Sequence, residues 1–118
     1  MSFSEILKGI TQDIKGAKGA AVVGMDGIVV DEYLVSPDAD MQSLSAEYGN
    51  ILKEVQQASH SLQLGSASEF AVMTDTTGLV IRRINKDYFL TLLISQNTGL
   101  GKGRFKAKIA AMRLEKEF

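Results

Sequence analysis

Residues 38–64, DADMQSLSAEYGNILKEVQQASHSLQL, hold no proline and repeat their apolar side chains at helical spacing. Met41, Leu44, Tyr48, Ile51, Leu52, Val55 and Leu62 recur at intervals of three and four, the signature of one helix face. Gly65 stands where a helix commonly closes in the left-handed conformation. At 1.5 Å per residue the stretch predicts a helix of roughly 40 Å, longer than the ~30 Å width of a small domain. A chain of 118 residues can hardly cover such a helix along its whole length.

The two shoulders of the apolar stripe differ. One carries Glu47 and Glu54, as a solvated surface does; the other carries Gln42, Ser45, Gly49, Gln56, His60 and Gln63, small or polar and almost without charge. A mid-helix glycine costs about 1 kcal/mol relative to alanine, so Gly49 points to something packed closely against it. Two readings stand: a surface that happens to be neutral, or a helix–helix contact with a second copy of the chain. On the second reading Ser45, Gly49, Leu52, Gln56 and His60 lie in a dimer interface. The outer back of the helix is then Ala46, Asn50, Lys53 and Gln57, a low-charge strip open to another partner.

Composition narrows the functional classes. A chain that is 45% hydrophobic and 23% charged, with net charge −1, gives no electrostatic reason to expect nucleic acid or an anionic membrane as main partner. The absence of cysteine excludes disulfides, zinc ribbons and thiol catalysis, and fits a reducing compartment. The start, MSFSEILKG, lacks the basic region and apolar core of a signal peptide, and no apolar run approaches the ~20 residues of a membrane span. The expectation is a single cytoplasmic domain over residues 1–118 without direct membrane insertion.

The flanking segments supply the other elements. Ser2 and Glu5 have the spacing of a capping box, opening a short helix with Phe3, Ile6, Leu7, Ile10 and Ile14 on one side and an end near Gly16. Residues 20–23 read as a strand, Met25-Asp26-Gly27 as a tight turn and residues 28–34 as the returning strand, Asp-Gly supplying the positive φ a hairpin needs. Residues 68–74, 79–84 and 88–95 read as three more strands, with Asn85-Lys86 as a second tight turn. FLTLLI in the last of them is apolar on both faces and belongs mid-sheet. A glycine-rich loop over 96–103 leads to a final helix over 104–117, with Phe105, Ile109, Met112 and, as an option, Leu114 expected inward. Lys102, Arg104, Lys106 and Lys108 crowd its first turns, as a basic patch for a partner or as a solvated face.

Catalytic chemistry finds little to work with. Gly99-Leu100-Gly101-Lys102 has the look of a phosphate-binding loop, but G-x-x-x-x-G-K-[ST] requires glycine at Gln96 and a hydroxyl at Gly103. His60 is the only histidine, so no histidine metal cluster or imidazole relay can form; Ser59 and Ser61 beside it point elsewhere on a helix. Asp26 is accounted for by its turn. The residues predict no catalytic site, no metal site and no cofactor.

The order helix, hairpin, long helix, three-strand meander, helix resembles the roadblock/dynein light chain family. GAKGAAVVGMDGIVV at the hairpin, the long middle helix, and FAVMTDTTGLVIRRINKDYFLTLLISQNTGLGKGRFK at the meander and last helix carry the resemblance, which covers nearly the whole chain. It implies an α+β fold: an α/β/α sandwich with a five-stranded antiparallel sheet, the long helix on one face and the N- and C-terminal helices on the other, as in profilin-like domains. It also implies a homodimer joined through the third strand (Phe70, Val72, Thr74) and the long helix into one ten-strand sheet. Family members bind Ras-like small GTPases or motor subunits, and the bacterial branch regulates a polarity GTPase of gliding motility at its switch regions. On that footing Ala46, Asn50, Lys53 and Gln57 become the expected GTPase-facing surface. A structural adaptor in a motor or membrane-associated complex, without effect on turnover, is the alternative, and a small-ligand sensor a third.

Overall fold

The computed structural model describes residues 1–118. Its elements are α1 (Phe3–Asp13), β1 (Ala17–Gly24), β2 (Val29–Leu34), α2 (Met41–Ser61), β3 (Glu69–Met73), β4 (Thr77–Arg83), β5 (Tyr88–Ser95) and α3 (Leu100–Glu115). The five strands form one antiparallel sheet in the order β2-β1-β5-β4-β3. β5 takes the centre, as its two apolar faces require: Phe89, Leu90, Leu92 and Ile94 are all buried. One face packs against α1 and α3 through Leu7, Ile10, Ala20, Val22, Val80, Leu92 and Leu114. The other packs against α2 through Ala21, Val23, Met41, Leu52, Leu79, Ile81 and Phe89. This is the expected α/β/α sandwich.

Local chemistry sets the element ends. Ser2 and Glu5 close the capping box of α1, with Ser2 Oγ accepting from Glu5 N at 3.2 Å. Gly27 takes φ +86° in the first hairpin, where Asp26 Oδ1 accepts from Ile28 N at 3.0 Å. Asn85 Oδ1 accepts from the amides of Asp87 and Tyr88 to close the β4–β5 turn.

The long helix is shorter than its apolar pattern suggests. Asp40 caps it by accepting from Ser43 N at 3.0 Å, and it ends at Ser61 rather than at Gly65. The stop is a Schellman arrangement: Gln63 takes φ +58°, its amide donates to His60 O, and Leu64 N donates to Ser59 O at 2.8 Å. Glutamine holds a position usually given to glycine, so the sequence did not mark it. Twenty-one residues span about 32 Å, within a body of 37 × 34 × 24 Å. The helix therefore does not overhang the domain; what stays uncovered is one of its sides.

The last helix begins at Leu100, inside the stretch expected to be loop, and presents a different face. Gly103, Ala107, Ala110, Ala111 and Leu114 are buried, whereas Phe105 and Met112, expected inward, are exposed. Small side chains let α3 lie close on the sheet: a Cβ on Gly103 would sit 3.2 Å from Ile94 Cδ1. Close approach across five small or apolar positions outweighs the burial that Phe105 and Met112 alone would gain.

Candidate functional site

Because α2 lies over one face of the sheet, its position decides which residues remain available. Met41, Ser45, Gly49 and Leu52, at intervals of four, four and three, form the line that meets the sheet, and all four are buried. A Cβ on Gly49 would lie 3.4 Å from Phe89 Cζ and 3.7 Å from Gly27 Cα. Ser45, Gly49 and Leu52 are thus spent within the chain and are not free to meet a twin helix. Their smallness serves the contact between α2 and its own sheet.

The two other helix residues expected at a dimer contact bond to the α2–β3 connection. Gln56 Oε1 accepts from Ala67 N at 2.8 Å while its Nε2 donates to Ala67 O at 2.9 Å. His60 Nε2 shares a hydrogen bond of 3.2 Å with Ser66 Oγ on the exposed outside of that loop.

The flank beyond Gln42 leans on the first hairpin. Gln42 Nε2 donates to Gly27 O at 3.0 Å, its Oε1 accepts from Val29 N at 3.1 Å, and a Cβ on Gly27 would approach Ala46 Cα to 3.3 Å. Ala46, Asn50, Lys53 and Gln57 are all exposed along this side. Their strip continues onto the β1–β2 turn, not toward β3.

The opposite flank faces β3 and is only partly covered. Leu44, Tyr48 and Val55 are half-buried, Ile51 is 42% exposed and Leu62, just past the helix, 69%. Tyr48 and Phe70 set their rings 6.4 Å apart, linking the helix to the edge strand. Phe70 and Val72 point to the same face of the sheet as α2 and are half-buried against it. Thr74 lies outside β3, in the turn, where its Oγ1 accepts from Thr77 N at 3.1 Å. The apolar stripe is thus wide enough to serve two contacts, one to the sheet and one left open.

The two sheet edges differ in kind. β2 carries Asp31 and Glu32 at its middle, a β-bulge opposite it between Val22 and Val23, and a hydrogen bond of 3.0 Å from Ser4 Oγ on α1 to Asp31 Oδ2; these features discourage strand addition. β3 is apolar from Phe70 to Met73. Its one charge, Glu69, is taken up within the chain: it accepts from Arg104 Nε at 3.2 Å and Arg104 Nη2 at 3.1 Å, and meets Arg82 Nη1 at 3.5 Å. The hydrogen bonds and charge of Arg104, with the charge of Arg82 behind them, hold the Glu69 carboxyl below the usual glutamate range.

Elsewhere, nowhere do three histidine, aspartate or glutamate side chains converge as metal ligands, and no helix is long and apolar enough to cross a membrane.

No family model matches the sequence, and no curated protein matches it. Among solved structures, MglC from Myxococcus xanthus is 32% identical, with all of both chains covered and a TM-score of 0.71. MglB of Myxococcus xanthus superposes with a TM-score of 0.88 at 17% identity, over 98% of this chain and 94% of that one. A Roadblock/LC7 domain from Streptomyces avermitilis gives a TM-score of 0.85 at 15% identity, over 96% of this chain and 94% of its own. The low identities of the last two show the fold, while the full-length likeness to MglC supplies the kinship in sequence, and together they make this chain a member of the Roadblock/LC7 family.

Proposed function

We propose that this protein is a homodimeric regulator of a Ras-like small GTPase. The observation that carries the dimer is the contrast between the sheet edges: β2 is defended by charge, whereas β3 is apolar, paired on one side only, and flanked by the half-covered Leu44, Ile51 and Val55 of α2. A second β3 running antiparallel would satisfy the open edge and make one ten-strand sheet. The two α2 helices would then meet through those leucine, isoleucine and valine side chains. An interface joining strands and helices buries well over ~1,000 Å².

The GTPase assignment rests on the family, whose members bind Ras-like small GTPases, and on a surface suited to such a partner. Ala46, Asn50, Lys53 and Gln57 form an exposed strip with one charge, continuous with the β1–β2 turn. Such a surface offers contact area and hydrogen bonds without a catalytic group of its own, so any effect on turnover would come from holding the partner's switch residues in place. Cytoplasmic residence follows from that partner.

Titrating the dimer into the small GTPase encoded nearest to it, loaded in turn with GDP and with a non-hydrolysable GTP analogue, tests this. Binding that depends on the nucleotide, with a change in hydrolysis or exchange rate, is the expected result. Equal binding to both states with unchanged turnover would leave the adaptor role in its place.

A further inference from the structure

The net charge of −1 conceals an uneven distribution. Residues 3–16 and 100–117, which make up the layer of α1 and α3, hold eight lysines and arginines against four aspartates and glutamates; the rest of the chain holds five against ten. Most of those cations belong to α3. Arg104 is taken up by Glu69, and Lys106 lies 3.7 Å from Asp13. Lys102, Lys108, Arg113 and Lys116 are exposed and make no ion pair.

These four surround an apolar strip on the same helix. At 3.6 residues per turn, Phe105, Ile109 and Met112 line up opposite the buried Gly103, Ala107 and Leu114. Phe105 is 60% exposed, Met112 56%, and Ile109 is half-buried. Lys102 and Arg113 flank the strip toward α1, Lys108 flanks it on the side where Arg104 reaches Glu69 of β3, and Lys116 extends it at the C-terminal end. Glu115 alone opposes them, since Glu117 meets the Met1 amino group at 3.0 Å. An apolar strip bordered by cations on both sides is complementary to an anionic surface with an apolar interior.

The geometry of the assembly selects among such surfaces. α3 packs on α1, β4 and β5, on the face of the sheet away from α2. In the dimer proposed above, on which this inference rests, antiparallel pairing of two β3 edges sets the twofold axis perpendicular to the sheet. Both α3 helices then lie on one face and both α2 helices on the other. Two convex cationic strips facing the same way meet a flat, extended surface together.

We propose that this face is a peripheral contact for an anionic lipid surface, with Phe105, Ile109 and Met112 at the boundary of headgroups and acyl chains and Lys102, Lys108, Arg113 and Lys116 among the lipid phosphates. The helix lies on the bilayer and does not cross it. The strip of α2 assigned above to the GTPase would face away from the lipid, open to its partner.

The chain holds no tryptophan, so Phe105→Trp supplies a single reporter in the middle of the strip. Titrated with vesicles of phosphatidylcholine, with and without phosphatidylglycerol, this variant should shift its emission to the blue only where phosphatidylglycerol is present. Rising salt should weaken the response. In cosedimentation the natural protein should bind the anionic vesicles, and Lys108→Glu with Arg113→Glu should weaken binding about twentyfold or more, at about fivefold per cation lost. Both side chains are exposed and unpaired, so circular dichroism should show the fold unchanged. Phe105→Ser should weaken binding at constant charge. No binding to the anionic vesicles, equal binding to the neutral ones, or undiminished binding by these α3 variants overturns the proposal. Polyglutamate bound through the same residues, with no vesicle bound, would assign the face to an acidic protein and overturn it equally. A monomer produced by Ile51→Glu should still bind through Phe105, about tenfold or more weakly for want of the second strip; equal binding would overturn the paired geometry. GTPase binding by the Lys108→Glu, Arg113→Glu variant, measured without lipid, should be unchanged and reports separately on the function proposed above.

Discussion

A Cβ on Gly49 would lie 3.4 Å from Cζ of Phe89, so the middle of α2 rests on the central strand of the sheet. That distance is ordinary van der Waals contact, and the neighbouring ring edge would accept a methyl group. Gly49→Ala should therefore keep or raise stability, by up to about 1 kcal/mol from helix propensity. Gly49→Leu should lower it by roughly 1–3 kcal/mol through overpacking. Thermal unfolding of both variants checks this; a leucine variant that loses only self-association, with unchanged unfolding, would contradict the inward placement.

Ile51 projects from the flank of α2 that faces the open edge of the sheet. Ile51→Glu should place a charge in the proposed twin contact and weaken the dimer by ~2 kcal/mol or more, while costing the monomer's fold little because the side chain is already half in solvent. Light scattering across a dilution series reads the outcome. A variant that stays dimeric at the lowest concentration would move the interface elsewhere.

The exposed strip on the other flank makes a separate prediction. Ala46→Arg combined with Gln57→Glu should abolish binding of the small GTPase while leaving the dimer intact. Changes near the centre of an interface typically cost ~2 kcal/mol or more, against under ~0.5 kcal/mol for unrelated surface substitutions. Undiminished binding by the dimeric double variant would exclude this strip as the partner surface.

Glu69 links the edge strand to α3 through Arg104, and its carboxyl titrates below the ordinary glutamate value. A depressed native pKa stabilises the fold above the unfolded value of about 4.3, and that contribution is lost as pH falls through the native value. Relative to Glu69→Gln, the natural protein should be more stable at pH 7 by about 0.5–1 kcal/mol, in keeping with a half-exposed Arg104. The difference should shrink as pH falls from 7 toward 3. Urea midpoints at the two pH values measure it, and a difference that persists in acid would remove the ion pair as its cause.

Ser45 Oγ and Thr91 Oγ1 are buried, Ser45 on the line where α2 meets the sheet, without a hydrogen-bond partner. An unpaired buried hydroxyl is a cost that an apolar side chain of the same shape avoids. Thr91→Val should accordingly be neutral or stabilising, by up to about 1 kcal/mol, and Ser45→Ala neutral. A loss above that size in denaturant unfolding would show that these hydroxyls are satisfied in solution.

Much of the architecture is written locally. Asp26-Gly27 and Asn85 specify their turns because the side-chain oxygen and the permitted φ act within two or three residues. The apolar faces of residues 89–94 require a central strand whatever surrounds them. With the helical periodicities, these mark three helices and five strands; the layer each occupies is implied only by the family resemblance. The orientation of the helices about their own axes is another matter. Ser45, Gly49, Gly103 and Ala107 look like weak positions in a hydrophobicity pattern, yet they are the buried ones, since small side chains let a helix approach a sheet closely enough for many atoms to touch. Phe105 and Ile51 look like core residues and stand in solvent. Which face turns inward depends on contacts with strands far away in sequence, summed over the whole helix. Only the tertiary structure performs that sum, and so only it shows which flank of α2 and which side of α3 stay exposed.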